Sequence, residues 1–567
     1  MKNKSIFILL TAATALVSLS AYSQNTRISA EEIKRMHHET LDDPYKPNAD
    51  NNRRTSPAYH FKSRATSNPL HSSIFTYQVN VNSAGLNILG DAANEPNIAV
   101  NPLDRKKMVI GWRQFDNVAS NFRQAGWGFS TDGGEHWTFP GVLEPGIFRS
   151  DPVLDYDAEG NFYYNSLTNS PDYFCKVFKS TNGGAGWDSG IDAHGGDKQW
   201  MIVDHNSEAG HGNIYAFWSY FFSTCAPGFS TRSTSGGDRY ENCYVIDGYP
   251  YWGTLAIGNA GELYIGGASG STDSLVVAKS INAHNQDSVV SWNKPVLVKI
   301  GGNPGGWNRV NPGGLGGQVN IDVDHSNGPG RGNVYLLASV TRSLNADPCD
   351  VMFARSTDGG LTWDAPIRIN DDASDTNYQW FGTMSVAPNG RIDAIWLDNR
   401  DAPAGSDSSA LYYSFSRDQG KTWSANEKLS ASFDPHVGYP DQNKMGDYLD
   451  MVSDSTGAHL AWANTLNGEQ DVYYSHIIPY TSTGVDEISQ NTGISTYPNP
   501  VKGTLLISGL EGNSQVEIFS ILGDKVRSIT SLHAVCEIDM LSQPSGIYFI
   551  RIVDQNGKTI VKKIVKD

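Results

Sequence analysis

The chain has 567 residues and a formal net charge of −17, and only 18% of its residues are charged. This length predicts at least two folded units, and the 57 glycines favour short strands and turns over long helices. The negative charge excludes nucleic acid and an anionic membrane surface as the main partner. A local basic pocket on such an acidic protein would still accept an anionic glycan.

Residues 1–23 have the pattern of a signal peptide. Two lysines precede an apolar stretch from Ile6 to Leu19, and the small residues at Ala21–Ser23 fit a cleavage site. No later stretch is long and apolar enough for a transmembrane helix, so we expect a secreted or surface-attached protein. Residues 24–70 are polar and rich in Asn, Arg, Ser and Pro, and they are predicted to form a flexible segment.

A short motif recurs between residues 71 and 480. Its copies share the spacing S-x-D-x-G-x-x-W, and each follows two strand-like runs joined by a polar turn. Four good copies are present: STDGGEHW (130–137), STNGGAGW (180–187), STDGGLTW (356–363) and SRDQGKTW (416–423). With the strand pairs between them, they predict seven four-stranded antiparallel units, the blades of a β-propeller. The seventh unit offers three strands, so FTYQVNVN (75–82) is predicted to supply its fourth.

These segments resemble the Asp box of the sialidase superfamily, and the resemblance implies a propeller. Since sialidases have six blades, six is the alternative to seven. The glycines of the motif allow positive φ, its acid accepts hydrogen bonds from turn N–H groups, and its tryptophan packs between strands. We therefore assign a structural role to Asp132, Asn182, Asp358 and Asp418. The functional site is expected on the opposite rim.

Residues 493–567 follow a linker at 481–492 and form a separate unit. Alternating strands with short Gly and Pro turns predict a small β-sandwich. The runs YPNPVKGTLLI, VEIFSILGDKV and IDMLSQPSGIYFIRI resemble the C-terminal sorting domain of type IX secretion. This resemblance implies that the type IX machinery is a partner, and that the chain reaches the cell surface or the medium, where the sorting domain is removed.

Five cysteines permit disulfides in an exported protein. Cys225 and Cys243 flank a turn and are placed to pair across a hairpin, whereas Cys175, Cys349 and Cys536 are predicted to be free and buried. No His, Cys or Asp spacing matches a zinc site or an EF-hand, so no metal ligand is assigned. A calcium ion held by loop carboxylates is the one cofactor that we consider compatible with a secreted propeller.

The resemblance also implies candidates for catalysis. A sialidase needs three arginines that bind the substrate carboxylate, a tyrosine nucleophile and an aspartate acid/base. The predicted rim offers Arg113, Arg309, Arg400, Tyr439, Asp398 and Asp447. Aromatic side chains near the blade entrances are candidates for stacking on sugar rings: Trp200, Trp252, Trp380 and Tyr249. The family's arginine–isoleucine–proline signature is absent, and FRSDP (148–152) has Ser150 in place of isoleucine.

Two classes of function fit this sequence. One is a glycan-active enzyme, either a sialidase-like glycoside hydrolase or a polysaccharide lyase for acidic glycans. The other is a non-catalytic propeller that binds glycan or protein at the cell surface. Rim arginines, tyrosines and acids favour the first, and the missing signature favours the second. In both cases we expect a monomer whose partner is an extracellular glycan or glycoprotein.

Overall fold

The computed structural model describes residues 43–46, 53–63, 71–169, 173–206, 210–271, 273–343, 347–480, 494–510, 512–555 and 559–567. The predicted signal peptide, the linker and much of the predicted flexible segment lie outside these residues. The structure is 48% strand and 1% helix, which confirms the all-β class. It divides into two compact units, Met1–Tyr480 and Thr481–Asp567.

Four short strands begin the larger unit. They are β1 (Thr55–Pro57), β2 (His60–Ser63), β3 (Ser73–Gln78) and β4 (Leu86–Ile88). β1 pairs with β4, and β2 pairs with β3. The prediction that this part of the chain is flexible is wrong for β1 and β2, because their main chain bonds to folded neighbours. The main-chain N–H of Gln78 also donates to the carbonyl of Tyr59, the residue just before β2, over 3.0 Å.

Seven larger antiparallel sheets follow in the described part of this unit, and the first three use consecutive strands. Sheet 1 consists of β5 (Ala92–Val100), β6 (Met108–Phe115), β7 (Gln124–Ser130) and β8 (Thr138–Leu143). Sheet 2 consists of β9 (Ser150–Tyr156), β10 (Phe162–Thr168), β11 (Phe174–Ser180) and β12 (Ile191–Asp192). Sheet 3 consists of β13 (Trp200–Val203), β14 (Ile214–Phe217) and β15 (Ser230–Ser233), with a 3-10 turn at Tyr220–Phe222.

In the next two sheets, a small hairpin is inserted between two strands of sheet 5. Sheet 4 consists of β16 (Tyr251–Ile257), β17 (Leu263–Ala268), β18 (Ser274–Ser280) and β19 (Val296–Lys299). The chain then forms β20 (Gly302–Pro304), β21 (Gly306–Asn308), β22 (Asn311–Leu315), β23 (Asn320–Val323), β24 (Val334–Arg342), β25 (Asp350–Ser356) and β26 (Ile367–Arg368). Sheet 5 contains β20 and β23 to β26, whereas β21 and β22 pair only with each other.

The last two sheets of the unit complete the series. Sheet 6 consists of β27 (Gln379–Val386), β28 (Ile392–Asp398), β29 (Ala410–Ser416) and β30 (Glu427–Lys428). Sheet 7 contains β31 (Asp450–Ser453), β32 (Ala458–Asn464) and β33 (Asp471–Ile478), followed by β3 and β2. β3 lies antiparallel to β33, with Ser73 opposite Ile478. This pairing confirms that a strand near residues 75–82 supplies the fourth strand, and it covers an edge that would otherwise be free to pair.

One strand from each of the seven sheets lies beside its counterpart in the next sheet, in the order β5, β9, β13, β16, β23, β27 and β31, and β31 lies beside β5. We call these the first strands, although β20 precedes β23 in sheet 5. Polar side chains on these strands accept hydrogen bonds from main-chain N–H groups of the next sheet. Six such bonds of 2.7–3.0 Å are accepted by Asn97, Asp155, Thr254, Asp322, Ser385 and Asp450. Neighbouring sheets are therefore joined by directional bonds as well as by apolar packing.

The middle strands are buried on both faces. Every residue of β6 is buried, and so is every residue of β32, because each sheet is covered by a neighbour on either side. The side chains of Trp112, Trp396 and Trp462, on β6, β28 and β32, are fully buried. The apolar runs that predict strands in the sequence are consequently continuous in these strands, not alternating.

The repeated S-x-D-x-G-x-x-W motif forms a tight turn after the third strand of its sheet. In the copy after β25, the Ser356 hydroxyl accepts the Gly360 N–H at 2.9 Å, and Asp358 accepts the N–H groups of Leu361 and Thr362 at 3.1 and 2.9 Å. Gly359 and Gly360 have positive φ. The serine-to-glycine bond recurs at Ser130, Ser180, Ser233 and Ser416. In this turn the acid satisfies main-chain donors.

We expect Asp358→Ala to lower the free energy of unfolding by about 1 kcal/mol, because two turn N–H groups lose their acceptor. Asp358→Asn is expected to cost less, since Asn182 already accepts the Gly186 N–H at 3.0 Å in the second copy. Urea unfolding of both variants measures this. Asp375→Ala, an exposed acid in a loop, is the control. Equal stability of Asp358→Ala and wild type would contradict a structural role.

The C-terminal unit contains two packed sheets. Its strands are β34 (Ser495–Tyr497), β35 (Thr504–Ser508), β36 (Ser514–Ser520), β37 (Lys525–Ser531), β38 (Val535–Asp539), β39 (Gly546–Val553) and β40 (Thr559–Lys566). One sheet has the order β34-β35-β38 and the other β37-β36-β39-β40. Ile507 and Ile538 of the first sheet share a core with Ile518, Ile550 and Ile564 of the second. Each sheet is thus buried on one face, the arrangement of a small sandwich.

Candidate functional site

Each large sheet has a turn end and a loop end. In sheet 1 the Gly133 N–H of the S-x-D-x-G-x-x-W turn donates to the Lys106 carbonyl at 3.0 Å, so this turn and the turn after β5 lie together. Asn94 and Arg113 face each other at the opposite end, where the loop between β6 and β7 begins. We call these the turn end and the loop end. Charged and aromatic side chains gather at the loop end.

Six charged side chains meet where the first strands of sheets 1, 2, 3 and 7 begin. This buried charge cluster consists of Glu95, Arg113, Asp151, Lys198, Lys444 and Asp447. None of the six is more than 9% exposed. Charges at this depth are stable only when they are paired.

Asp447 is the most highly coordinated member of the buried charge cluster. One carboxylate oxygen lies 2.5 Å from Lys198 Nζ and 2.7 Å from Lys444 Nζ. Its other oxygen accepts the Leu315 N–H from the β21–β22 hairpin at 2.9 Å. Arg113 Nε lies 3.1 Å from a Glu95 oxygen, and Lys444 Nζ lies 3.5 Å from the other. Sheets 1, 3 and 7 and the hairpin are joined at this point.

Burial and neighbouring charges shift the pKa values of three members of the buried charge cluster in different directions. Burial alone would raise the pKa of Asp447, but Lys198, Lys444 and Arg113 hold it well below its usual range. Burial would lower the pKa of Lys198, but the nearby carboxylates, Asp151 first among them, raise it well above its usual range. For Glu95, burial dominates and raises the pKa to about 7.

The backbone at the start of the first strands is unusual. Glu95, Asp151 and Lys198 have φ values of 49°, 48° and 59°, and Trp252 and Phe381 repeat this conformation in sheets 4 and 6. Such values are uncommon for residues with a side chain and mark a local constraint. In sheet 1 the pairing register also shifts between Asn94 and Asn97. An irregularity of this kind redirects a side chain relative to a regular strand.

The predicted arginine clamp is not present. Arg113 is fully buried and pairs with Glu95. Arg309, on the β21–β22 hairpin, lies 2.8 Å from Asp407. Arg400 likewise pairs with Asp398. Because each of the three arginines is matched by a carboxylate of its own, their guanidinium groups do not form one site for a ligand carboxylate. The three cations that do converge, Lys198, Lys444 and Arg113, surround Asp447.

The other catalytic candidates are also occupied or enclosed. Arg400 pairs with Asp398 at 2.8 Å and with Asp371 at 2.6 Å, so this acid and this arginine brace each other. The Tyr439 hydroxyl is buried, and burial raises the pKa of the phenol above its usual range. A phenol held protonated in this way is a poor nucleophile. Asp398, Tyr439 and Asp447 therefore do not form a catalytic group with the arginines.

The predicted stacking residues divide into two groups. Trp252 and Trp380 are 4% and 0% exposed, so the expectation that they stack on sugar is wrong: their rings are used for packing. Trp200 is half-buried, with its ring edge-to-face against Tyr448 at 5.2 Å. Tyr249 is the member that faces solvent, at 37% exposure. It has φ 50° and precedes β16 at the loop end.

Tyr249 belongs to a larger aromatic surface that we call the aromatic platform, made of Tyr220, Phe221 and Tyr249. The ring centroid of Tyr220 lies 3.6 Å from that of Phe221 and 5.3 Å from that of Tyr249. Beneath it, Tyr249 stacks on the buried Phe229 at 5.6 Å. Sequence reasoning selected Tyr249 but missed the other two. The signal was present in the consecutive aromatic residues of WSYFFSTCAPGF (218–229).

A disulfide holds the loop that carries the aromatic platform. Cys225 and Cys243 are bonded, which confirms the predicted pair. The remaining cysteines, Cys175, Cys349 and Cys536, are free and buried, as predicted. Among the described residues, one group has metal-ligand spacing, His194 with Cys225 and Cys243. Because both of its sulfur atoms form the disulfide, the group offers a metal only one ligand, and the structure favours a mechanical role for this pair.

The C-terminal residues 495–567 match the family described as secretion system C-terminal sorting domain. The protein is exported by type IX secretion. It is therefore delivered to the cell surface or released, and the secretion machinery handles the chain. The described residues contain no helix that is long and apolar enough to cross a membrane.

No curated protein is significantly similar to this chain. Its structure is similar to that of a fungal alcohol oxidase of the AA5 family, with 10% identity, 87% of this chain and 98% of the other covered, and a TM-score of 0.45. It is also similar to the phage phi92 endosialidase (10% identity, 86% and 87% covered, TM-score 0.41) and to PorZ of Porphyromonas gingivalis (11%, 87% and 74%, 0.27). Similarity at these levels assigns no activity to this chain.

Proposed function

We propose that this exported protein is a non-catalytic seven-bladed β-propeller of the Asp-box type, and that it binds extracellular glycans at its loop end. The aromatic platform carries the proposal. Tyr249 is exposed, Tyr220 and Phe221 are half-buried beside it, and Tyr220 is edge-to-face against Tyr249. The Cys225–Cys243 bond fixes the loop that bears Tyr220 and Phe221. A preorganised aromatic surface binds the apolar face of a sugar ring with little loss of conformational freedom.

The seven-bladed arrangement rests on the order of the sheets. The first strands of seven sheets follow one another and return to the first, and β3 completes the last sheet. The repeated turns and their serine-to-glycine bonds support the Asp-box assignment. The boundaries of the propeller at residues 71–480, the signal peptide at 1–23 and a monomeric state remain predictions, as does a bound calcium ion.

Binding is favoured over hydrolysis because the charged groups at the loop end are already used. Lys198 and Lys444 pair with the chain's own Asp447, and Arg113 pairs with Glu95. Arg309 and Arg400 pair with Asp407 and Asp398. A sialidase or a lyase needs cations that are available to the substrate carboxylate. The described loops therefore support recognition by ring stacking better than acid/base chemistry.

Affinity electrophoresis of the full chain through gels that contain soluble polysaccharides tests the proposal. We expect wild type to be retarded by at least one polysaccharide, and Tyr249→Ala to weaken that binding about tenfold through the loss of one stacked ring. Because Tyr249 also packs on Phe229 and Tyr220, its removal is expected to lower the free energy of unfolding by about 1 kcal/mol, and binding is compared after urea unfolding has shown that the variant is folded.

Tyr497→Ala is the matched control, because Tyr497 is an exposed tyrosine of the C-terminal unit. This variant should migrate like wild type in every gel. Retardation of Tyr249→Ala equal to that of wild type would remove the aromatic platform from the binding site. The release of new reducing ends from a retarding polysaccharide would show that the protein is an enzyme and would overturn the non-catalytic assignment.

A further inference from the structure

The charges around the aromatic platform indicate which glycans it accepts. The platform is bordered by three loop segments, residues 218–229, residues 245–251, and residues 269–271 with Asp273. Their sequences contain no lysine and no arginine, and their charged residues are Asp247 and Asp273. Asp247 lies two residues before Tyr249 and is exposed. A ligand on the platform therefore meets carboxylates and no cation from these segments.

Contacts between rings and loops show that the three segments form one surface. Phe221 of the first segment and Tyr251 of the second have ring centroids 6.4 Å apart. The Tyr251 hydroxyl donates to the Ser269 carbonyl of the third at 3.0 Å. Asp273 accepts hydrogen bonds from the hydroxyls of Ser271 and Ser274 at 3.1 and 2.8 Å. These bonds favour the ionised carboxylate at the edge of this surface.

Two cations near this surface, Lys176 and Lys299, have acidic neighbours, whereas a third, Lys294, is exposed and precedes Pro295, which packs against Gly248. Lys176, on the strand that follows Tyr173, lies 2.7 Å from Glu144. Tyr173 in turn packs against Phe222 at 5.6 Å. Lys299 is opposite Ser274 across the β18–β19 pair, and its charge acts on Asp273. The whole chain has a net charge of −17, so its long-range field also repels anions.

We infer that the aromatic platform selects uncharged saccharides, built from neutral hexose or pentose units, and discriminates against uronates and sialosides. This inference rests on the proposed function. Stacking supplies the attraction for any sugar with an apolar ring face, and the flanking carboxylates supply the repulsion that distinguishes neutral from anionic sugars. The protein then recognises neutral glycan, although its fold resembles that of enzymes for acidic sugars.

A matched pair of polymers tests this selectivity. The full chain is run through gels that contain a neutral polysaccharide from a panel of xylan, mannan, galactan and mixed-linkage glucan, or the carboxymethylated form of the same polymer. We expect retardation by at least one neutral polymer and binding at least about tenfold weaker to its carboxymethylated form at low salt. The difference should shrink as salt is added, because screening weakens the repulsion.

Asp247→Lys reverses the charge beside the platform without touching its rings. This variant is expected to bind the carboxymethylated polymer several-fold more tightly than wild type does, with unchanged binding of the neutral form. Asp238→Lys is the control, since Asp238 is an exposed acid of the same sheet at its turn end, and it should behave as wild type.

The outcomes separate this inference from the proposed function. Retardation by the carboxymethylated polymer that equals or exceeds retardation by the neutral one would overturn the inference and leave glycan binding in place. The absence of retardation by any polymer would overturn the proposed function and this inference with it. If Asp238→Lys binds the carboxymethylated polymer as tightly as Asp247→Lys does, the gain comes from net charge alone. That result would also overturn the selectivity of the platform.

Discussion

Asp447→Asn is expected to lower the free energy of unfolding of the large unit by about 3–5 kcal/mol. The carboxylate is 1% exposed and lies 2.5 and 2.7 Å from two lysine ammonium groups. Removing its charge leaves Lys198 and Lys444 buried with fewer acidic partners, and desolvated cations without partners are costly. An amide also cannot accept the Leu315 N–H and both ammonium groups as strongly as a carboxylate does.

Urea unfolding, followed by tryptophan fluorescence, measures this loss. Glu135→Gln is the control, because it breaks the ion pair with Lys62, whose two side chains are 51% and 55% exposed, and exposed pairs contribute less than about 1 kcal/mol. A stability of Asp447→Asn within about 1 kcal/mol of wild type would mean that the two lysines are solvated. The buried charge cluster would then be open to solvent, and a catalytic assignment would regain support.

Local sequence signals predict much of the fold because they act over a few residues. The serine, acid and glycines of one turn copy, such as Ser356 to Gly360, bond to one another within five positions, so their spacing alone reveals the turn. The role of β3 could also be predicted, because an apolar strand without a local partner precedes sheet 1 and the last sheet has only three strands of its own. The turn depends on chemistry contained in one segment, whereas the pairing of β3 follows from counting the strands of sheet 7.

The buried charge cluster could not be predicted in the same way. Lys198 and Asp447 are separated by 249 positions and meet because the first strands of sheets 3 and 7 both begin at the buried charge cluster. In the sequence, Asp447 is one acid among many in polar loops, and Arg113 is indistinguishable from an arginine that faces a ligand. The burial that turns these residues into internal partners depends on how sheets from distant parts of the chain come together, which no local pattern records.

A degenerate turn illustrates the limit of motif reasoning. After β18, the Ser280 hydroxyl accepts the Ala283 N–H at 3.1 Å, and Asn282 accepts the Ser291 N–H at 3.0 Å. These bonds repeat the serine and acid roles of the other turns. The segment lacks the glycine pair and has a longer loop before Trp292, so the S-x-D-x-G-x-x-W spacing does not predict this turn. The side-chain chemistry is retained although the sequence pattern is not.

The stability of the large unit is expected to fall as the pH rises from about 5.5 to about 8. Burial raises the pKa of four carboxyl groups to about 7: Glu95, Asp322, Asp450 and Asp471. In the unfolded chain such groups lose their protons near pH 4. Between these values the folded protein binds more protons than the unfolded chain, so its free energy of unfolding decreases with pH.

Three histidines modify this trend without reversing it. Burial would lower the pKa of His205, but Asp155 raises it above its usual range, so His205 adds to the loss of stability as the pH rises. Burial lowers the pKa of His476 to about 4 and also lowers the pKa of His325, and neutral buried histidines oppose the trend below about pH 6.5. These two histidines therefore offset part of the effect of four carboxyl groups. We expect a net loss of at least about 2 kcal/mol over this range.

Urea unfolding at a series of pH values, at fixed ionic strength, measures the slope. Asp450→Asn isolates one contribution, because the amide oxygen still accepts the Ile98 N–H, which bonds at 2.9 Å in the native protein, while the titrating proton is gone. The variant should lose part of the slope and gain stability relative to wild type at pH 8. Asp238→Asn, an exposed control, should keep the full slope. Stability that rises from pH 5.5 to pH 8 would mean that water reaches these carboxylates between the first strands.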